Sequence, residues 1–260
     1  MNCPAVIQYI SDWLKNYAEN AGAKGFVVGI SGGVDSAVTS TLCAKTGLEV
    51  ICLEMGIHQH PDEVSRGLEH IDWIEKRYSN VSHLCLNLTD PFEKFRLALP
   101  EETADHGLSM ANTRSRLRMT TLYAVAQSKG LLVAGTGNKI EDFGVGFFTK
   151  YGDGGVDLSP IADLTKTEVY AIAEELGIVN SILTAEPTDG LWKDERTDHG
   201  QLGASYPELE WAMNFEGDES MLDEREKEVL TIYRGFNRAN RHKMLPIPVC
   251  TIPASLKKTS

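Results

Sequence analysis

One hexapeptide limits the folds open to this chain. Ser31-Gly32-Gly33-Val34-Asp35-Ser36 lies between a run of β-formers, Phe26-Val27-Val28-Gly29-Ile30, and a segment, Ala37 to Lys45, with Val38, Leu42 and Cys43 at helical spacing. Glycines at a strand–helix junction let the backbone approach a ligand closely. The helix N-terminus behind them offers unpaired N–H groups and a partial positive charge. Gly29 to Ser36 therefore reads as an anion cradle at the C-terminal end of a buried strand. A Walker A loop needs a Lys that is missing here, and Gly29-Ile30-Ser31-Gly32-Gly33 does not fit G-x-G-x-x-G. Ser31 and Ser36 supply hydroxyls and Asp35 a carboxylate. A carboxylate beside polyphosphate is repulsive unless a cation lies between them, so Asp35 points to Mg²⁺. The alternative is a Gly-rich turn whose Ser and Asp cap a helix.

The rest of the chain alternates strand and helix. Periodicity predicts helices over residues 4–20, 61–78, 91–97, 111–129, 165–176 and 222–241, and strands over 25–30, 48–55, 81–88 and 131–135. Residues 100–109 read as a loop, 144–155 as a Gly-rich binding loop and 184–206 as a polar, mobile segment. Such alternation implies a mostly parallel, doubly wound α/β sheet, one domain over 1–260. Ligands of these sheets sit where strand order reverses. If the first and fourth strands are neighbours there, Ser31–Ser36 and Gly135–Glu141 converge. The N-terminal helix and the long Arg-bearing helix carry apolar side chains suited to a dimer surface.

Composition narrows the function. The chain has 260 residues and a net charge of −12, which argues against non-specific nucleic-acid binding. No stretch approaches membrane-spanning length and no signal peptide is evident, so a cytoplasmic protein is expected. Cys3, Cys43, Cys52, Cys85 and Cys250 form no C-x-x-C pair. Cys43, Cys52 and Cys85 lie in apolar segments and read as buried free thiols in a reducing compartment.

Three further segments carry candidate chemistry. In Gly135-Thr136-Gly137-Asn138-Lys139-Ile140-Glu141, Thr136 can bond a nucleotide sugar or phosphate, and Glu141 is a second carboxylate for Mg²⁺ opposite Asp35. A solvated helix start explains Glu141 about as well. In Phe147-Phe148-Thr149-Lys150-Tyr151-Gly152-Asp153-Gly154-Gly155-Val156-Asp157, followed by Leu164-Thr165-Lys166, Lys150 and Lys166 can neutralise charge on a leaving pyrophosphate. Phe147, Phe148 and Tyr151 can wall a ring-binding pocket, or else the segment is a Gly-rich turn with core aromatics. In Asn112-Thr113-Arg114-Ser115-Arg116-Leu117-Arg118-Met119, Arg114 and Arg118 share a helix face and Arg116 points elsewhere. Cations are disfavoured at a helix N-terminus, so this cluster suggests an anionic ligand or partner.

Together these segments resemble the ammonia-dependent NAD synthetase family of the N-type ATP pyrophosphatases. The matching stretches are SGGVDS, NTRSRLRM, GTGNKIE, FFTKYGDGGVDLSP with LTK, PTDGLW, and the late RHK followed by proline, in family order from residue 29 to 246. The resemblance implies a Rossmann-like homodimer of the adenine nucleotide alpha-hydrolase type, without the amidase domain of the glutamine-using forms. It implies adenylation of deamido-NAD by ATP with Mg²⁺, then displacement of AMP by ammonia or its ammonium source. On it, Gly29, Ser31, Gly32, Gly33, Val34, Asp35, Ser36, Thr136, Lys166 and Thr188 would bind ATP, and Asp35 and Glu141 would bind the metal. Arg116, Arg118, Phe148, Lys150, Asp153, Asp157, His242 and Lys243 would contact deamido-NAD. Asp153, Asp157, Lys150 and Lys166 would serve catalysis, with an aspartate holding ammonium. The chain departs from the family pattern at Cys52 to Gln59, which replaces an Arg-x-Pro-Tyr-Gly run, and at His199, which replaces a Glu. Another ATP pyrophosphatase with a different carboxylate substrate, or a non-catalytic adenine-nucleotide sensor, are the rival readings.

Overall fold

The computed structural model of the chain describes residues 1–186 and 198–257. Helix α1 (Cys3–Asn20) begins where the Asn2 side chain accepts from the Ala5 N–H, with Pro4 in the first turn, where no N–H is needed. Its Ile7, Ile10 and Leu14 are buried, whereas Trp13 and Tyr17 are exposed together with Tyr9. The sheet that follows contains β1 (Gly25–Gly29), β2 (Glu49–Gly56), β3 (Val81–Asn87) and β4 (Leu132–Val133). All pairings are parallel and the order is β3-β2-β1-β4. Strand order reverses between β1 and β4, as the doubly wound expectation requires.

Between the strands run α2 (Val34–Lys45), α3 (Pro61–Glu75), α4 (Thr89–Leu97), α5 (Glu101–Ala104) and α6 (Gly107–Lys129). After β4 come a π-helix (Ile140–Val145), α7 (Lys166–Leu176), α8 (Asn180–Leu183), α9 (Asp198–Leu202), α10 (Tyr206–Asn214) and α11 (Glu224–Met244). Strand residues alternate between two cores, because side chains point to opposite faces in turn. Phe26, Val28, Val50 and Cys52 pack with α1, α2 and α7; Val27, Ile51, Leu53 and Met55 pack on the other face with α4 and α6. A third core lies off the sheet: Ile140 and Val145 of the π-helix meet Leu209 and Ala212 of α10 and Val229 and Leu230 of α11.

Several element bounds differ from the sequence reading, with consequences for the site. Gly33 takes an extended N-cap conformation, so α2 starts at Val34 and Asp35 stands in its first turn. Part of the expected loop over 100–109 is α5 and the start of α6 at Gly107. The Arg cluster is therefore mid-helix, and the argument from unfavourable charge at a helix N-terminus does not apply to it. Helix α11 extends to Met244 and carries His242 and Lys243 in its last turn. Cys43 and Cys52 are buried, but Cys85 is exposed, because β3 is an edge strand with little covering it.

Candidate active site

The segments after β1 and β4 meet at the C-terminal edge of the sheet. Gly32 has φ +83°, and a Cβ on it would lie 2.4 Å from the Glu63 carbonyl oxygen of α3, so only glycine passes there. The loop hydroxyls brace each other: Ser36 Oγ donates to the Gly33 carbonyl at 2.9 Å and lies 3.2 Å from Ser31 Oγ. No side chain caps α2, which leaves its first N–H groups as an anion receptor. From the β4 side, Asn138 Nδ2 donates to Asp35 Oδ1 at 3.1 Å. The convergence of the two loops is thus direct.

A buried lysine joins the two carboxylates. Lys166 Nζ donates to Asp35 Oδ2 at 2.5 Å and to Glu141 Oε1 at 3.0 Å, its side chain only 5% exposed. Lys166 is the first residue of α7, fixed there by a capping box between Thr165 and Glu168. Glu141 also accepts from the Tyr206 hydroxyl at 2.6 Å, and the Tyr206 ring lies 4.9 Å from the ammonium. Burial pushes the Asp35 carboxyl above its ordinary range, more than Lys166 pulls it down. Glu141 feels the same burial, but Lys166 and the Tyr206 and Asn138 hydrogen bonds outweigh it and hold its carboxyl low. One ammonium is shared by two carboxylates, and Glu141 has the additional Tyr206 hydroxyl bond. Beside them, burial and then the charges of Glu141, Asp153 and Asp35 raise Asp142 to about 8.

This arrangement fits a divalent cation. Among the described residues no three His, Cys, Asp or Glu side chains gather as a full ligand cage. Two carboxylates from the starts of two different helices, both within bonding distance of one ammonium, suit Mg²⁺, which keeps water and phosphate oxygens in most of its positions.

The cleft opens from this cluster across α6 to α11, with a volume of about 670 Å³. It is lined by Gly29, Ser31, Gly32, Gly33, Val34, Asp35, Ser36, Thr136, Glu141 and Lys166, and further out by Arg116, Arg118, Phe148, Lys150, Asp153, His242 and Lys243. Arg118 is committed within the fold: its Nε donates to the Met55 carbonyl at 3.1 Å and its Nη2 to Gln59 Oε1 at 2.6 Å. Burial, then the nearby Arg114, lowers it to about 10. Arg114 is buried near the Phe92 ring, and Arg116 is exposed. Lys150 donates to the His242 carbonyl at 2.8 Å, and Lys243 to the Phe148 carbonyl at 2.7 Å. Asp153 Oδ1 accepts from the Ser115 hydroxyl at 2.7 Å and the Thr149 N–H at 3.0 Å, leaving Oδ2 to other partners. Although Asp153 is open to the cleft, the protein packed around its carboxyl raises its pKa against those bonds.

Two expected residues stand elsewhere. Asp157 is not among the lining residues of the cleft. Its backbone N–H bonds the Val133 carbonyl, Oδ2 takes the Val133 N–H at 2.8 Å and Oδ1 takes the Tyr123 hydroxyl at 3.0 Å, so it is fastened along the outer edge of β4. Tyr151, with φ +62°, is half exposed with its ring near the Lys150 ammonium, while Phe147 and Phe148 line the cleft. Thr188 and the PTDGLW stretch lie outside the described residues, as does the His199 side chain. Sequence reasoning missed Asn138, Tyr206 and Ser115. Asn138 and Ser115 lay inside quoted motifs without a role, and nothing local marks Tyr206.

The profile of the family described as NAD synthase matches residues 6–244. The NH(3)-dependent NAD(+) synthetase of Syntrophomonas wolfei is 37% identical over 99% of this chain and 100% of its own length. That of Carboxydothermus hydrogenoformans is 39% identical over 82% of this chain and 86% of its own. Among solved structures, the NMN synthetase from Francisella tularensis superposes with a TM-score of 0.84 at 28% identity, covering 98% of this chain and 99% of that one. The NH3-dependent NAD synthetase from Campylobacter jejuni superposes with a TM-score of 0.78 at 23% identity, covering 96% and 100%, which supports the fold.

Proposed function

The chain belongs to the NAD synthase family, and on that premise we propose that it amidates deamido-NAD with ammonia, converting ATP to AMP and pyrophosphate. The observation that carries this reading is the joining of Asp35 and Glu141 through Lys166 beside the Ser31–Ser36 cradle. The nicotinate carboxylate oxygen attacks the α-phosphorus of ATP, forming an oxygen–phosphorus bond as pyrophosphate leaves with the bonding pair. Ammonia then attacks the carboxyl carbon of the adenylate, and AMP departs. No protein nucleophile is needed, because positioning and preorganised charge lower both barriers.

The α2 N–H groups, Ser31 and Ser36 hold the triphosphate, and Lys166 faces its charge. Asp35 and Glu141 would hold Mg²⁺, which when bound neutralises phosphate charge and eases the loss of pyrophosphate. Asp153, whose Oδ1 accepts from Ser115 and Thr149 and which faces the cleft, accepts the proton that ammonium loses. Thr136, Phe148, Lys150, Arg116, His242 and Lys243 orient the two nucleotides along the cleft; Arg118 contributes by fixing the wall around Met55 and Gln59. Thr188 keeps its family role in this reading, and Asp157 contributes from the β4 edge by fixing Val133 and Tyr123 rather than by touching the nucleotides.

We read residues 1–260 as one domain that works as a homodimer in the cytoplasm, with small-molecule substrates and no nucleic-acid or membrane partner. Exposed Tyr9, Trp13 and Tyr17 on successive turns of α1 support a covered face. No helix among the described residues is long and apolar enough to cross a membrane.

The likeness to the Francisella NMN synthetase favours a second reading, in which the acceptor is the mononucleotide and the product NMN. Parallel turnover assays with deamido-NAD and nicotinate mononucleotide, each with ATP, Mg²⁺ and ammonium, decide between them. A higher kcat/KM for deamido-NAD is expected. A higher value for the mononucleotide would transfer the assignment to NMN synthesis.

A further inference from the structure

The π-helix that carries Glu141 is held from outside. Its last carbonyls have no partners within the helix. Asn237 Nδ2 donates to the Gly144 carbonyl at 2.8 Å, and Asn240 Nδ2 to the Val145 carbonyl at 2.8 Å. Gly146 follows in the left-handed region at φ +64°, and its N–H returns to the Glu141 carbonyl. A Cβ on Gly146 would lie 2.4 Å from Asn240 Cβ and 2.8 Å from Met244 Cε, so α11 presses directly against this turn. One turn further along α11, Lys243 holds the Phe148 carbonyl at 2.7 Å, and Lys150 holds the His242 carbonyl at 2.8 Å.

From this geometry we propose that Asn237 and Asn240 are positioning residues for the metal carboxylate. They bind the Glu141-bearing π-helix and the His242–Lys243 end of α11 into one rigid unit. Their chemistry suits the task. An amide donates without adding charge to a site already crowded with carboxylates, whereas Lys or Arg there would compete with Lys166 for Glu141. Both side chains are half-buried and sit at i and i+3, on the face of α11 that also presents Tyr233 and Met244 to the turn. Glu141 is thus oriented by two amides that never touch it, as outer partners orient metal ligands in general. The inference rests on the proposed reading that Asp35 and Glu141 hold a divalent cation.

The test uses the full chain with Mn²⁺ as probe, titrated in the presence of a non-hydrolysable ATP analogue and followed by electron paramagnetic resonance. The double variant Asn237→Leu with Asn240→Leu keeps side-chain volume and removes both donors. It is expected to raise the apparent Mn²⁺ Kd about tenfold and to raise KM for the acceptor nucleotide through Lys243. Asn240→Gln, placed in an otherwise unaltered chain, retains a donor and is expected to stay near the starting Kd. Val229→Ala, in the same satellite core but without a hydrogen bond to the carbonyls, is expected to lower the thermal midpoint without moving the Mn²⁺ Kd. A double variant whose Mn²⁺ Kd matches that of Val229→Ala would overturn the positioning role. Failure of the unaltered protein to bind Mn²⁺ with the nucleotide would instead overturn the metal reading itself, and this inference with it.

Discussion

Asp35 and Glu141 face the same ammonium from unlike parts of the molecule. Asp35 stands in the first turn of α2, nearly all of which is buried in the sheet's own core. Its loop is fixed by β1, by Gly32 against α3 and by hydroxyls a few residues away. Glu141 stands on a π-helix in a separate core built with α10 and α11, and its bonds reach Tyr206, Lys166 and, through the turn, Asn240. The loop that carries Asp35 is set by the sheet and its own short-range bonds, whereas the helix that carries Glu141 is placed by long-range assembly, and both carboxylates are then joined to distant residues. A cradle built into the sheet is thus opposed by a separately packed jaw, with Lys166 as the link between them.

Cutting that link has the largest expected effect. Lys166→Met removes the ammonium that both carboxylates share, and AMP formation should fall by about a hundredfold or more, measured as kcat at saturating ATP. A fall of only a few-fold would mean that the two halves hold their geometry without it.

A second perturbation addresses the cradle side alone. His70 of α3 is fully buried, bonded through Nε2 to Ser40 of α2 at 2.9 Å and stacked on Trp73, and burial lowers it to about 4. A histidine depressed in the folded state leaves stability intact above its unfolded pKa near 6.5 and forfeits it as pH falls toward 4. The loss amounts to at most about 3 kcal/mol. Thermal midpoints followed by Trp fluorescence should decline between pH 6.5 and 4, and His70→Gln should decline less over the same window. Parallel curves for the two proteins would remove His70 as the cause.

The smallest effect sharpens the jaw side. Tyr206→Phe removes one hydroxyl donor from Glu141, a bond worth about 1 kcal/mol, hence an about fivefold higher metal concentration at half-saturation. ATP binding measured without metal should not change, because the cradle is untouched. A matching loss of metal-free ATP binding would show that the two regions are not separable.

The same contrast explains what the sequence disclosed. The parallel sheet, its reversal point and the Ser31–Ser36 loop were legible because glycines, β-formers and helical spacing act over a few residues. Asn138 stood inside a recognised motif, yet its bond to Asp35 spans distant chain positions and has no local mark. Tyr206, Asn237 and Asn240 were invisible for the same reason. Cys85 was misplaced because apolar neighbours do not reveal that β3 ends the sheet. The family resemblance implies a substrate contact for Asp157, whereas parallel pairing beside β4 fastens it on the outer edge.

The most direct measurement is ³¹P nuclear magnetic resonance of the purified protein turning over ATP with Mg²⁺, deamido-NAD and ammonium, with NAD quantified in the same sample. AMP and pyrophosphate appearing one for one with NAD is the result expected on the proposed reading of the cradle and its paired carboxylates. ADP and inorganic phosphate as the nucleotide products, or NAD formed without ATP cleavage, would contradict the account.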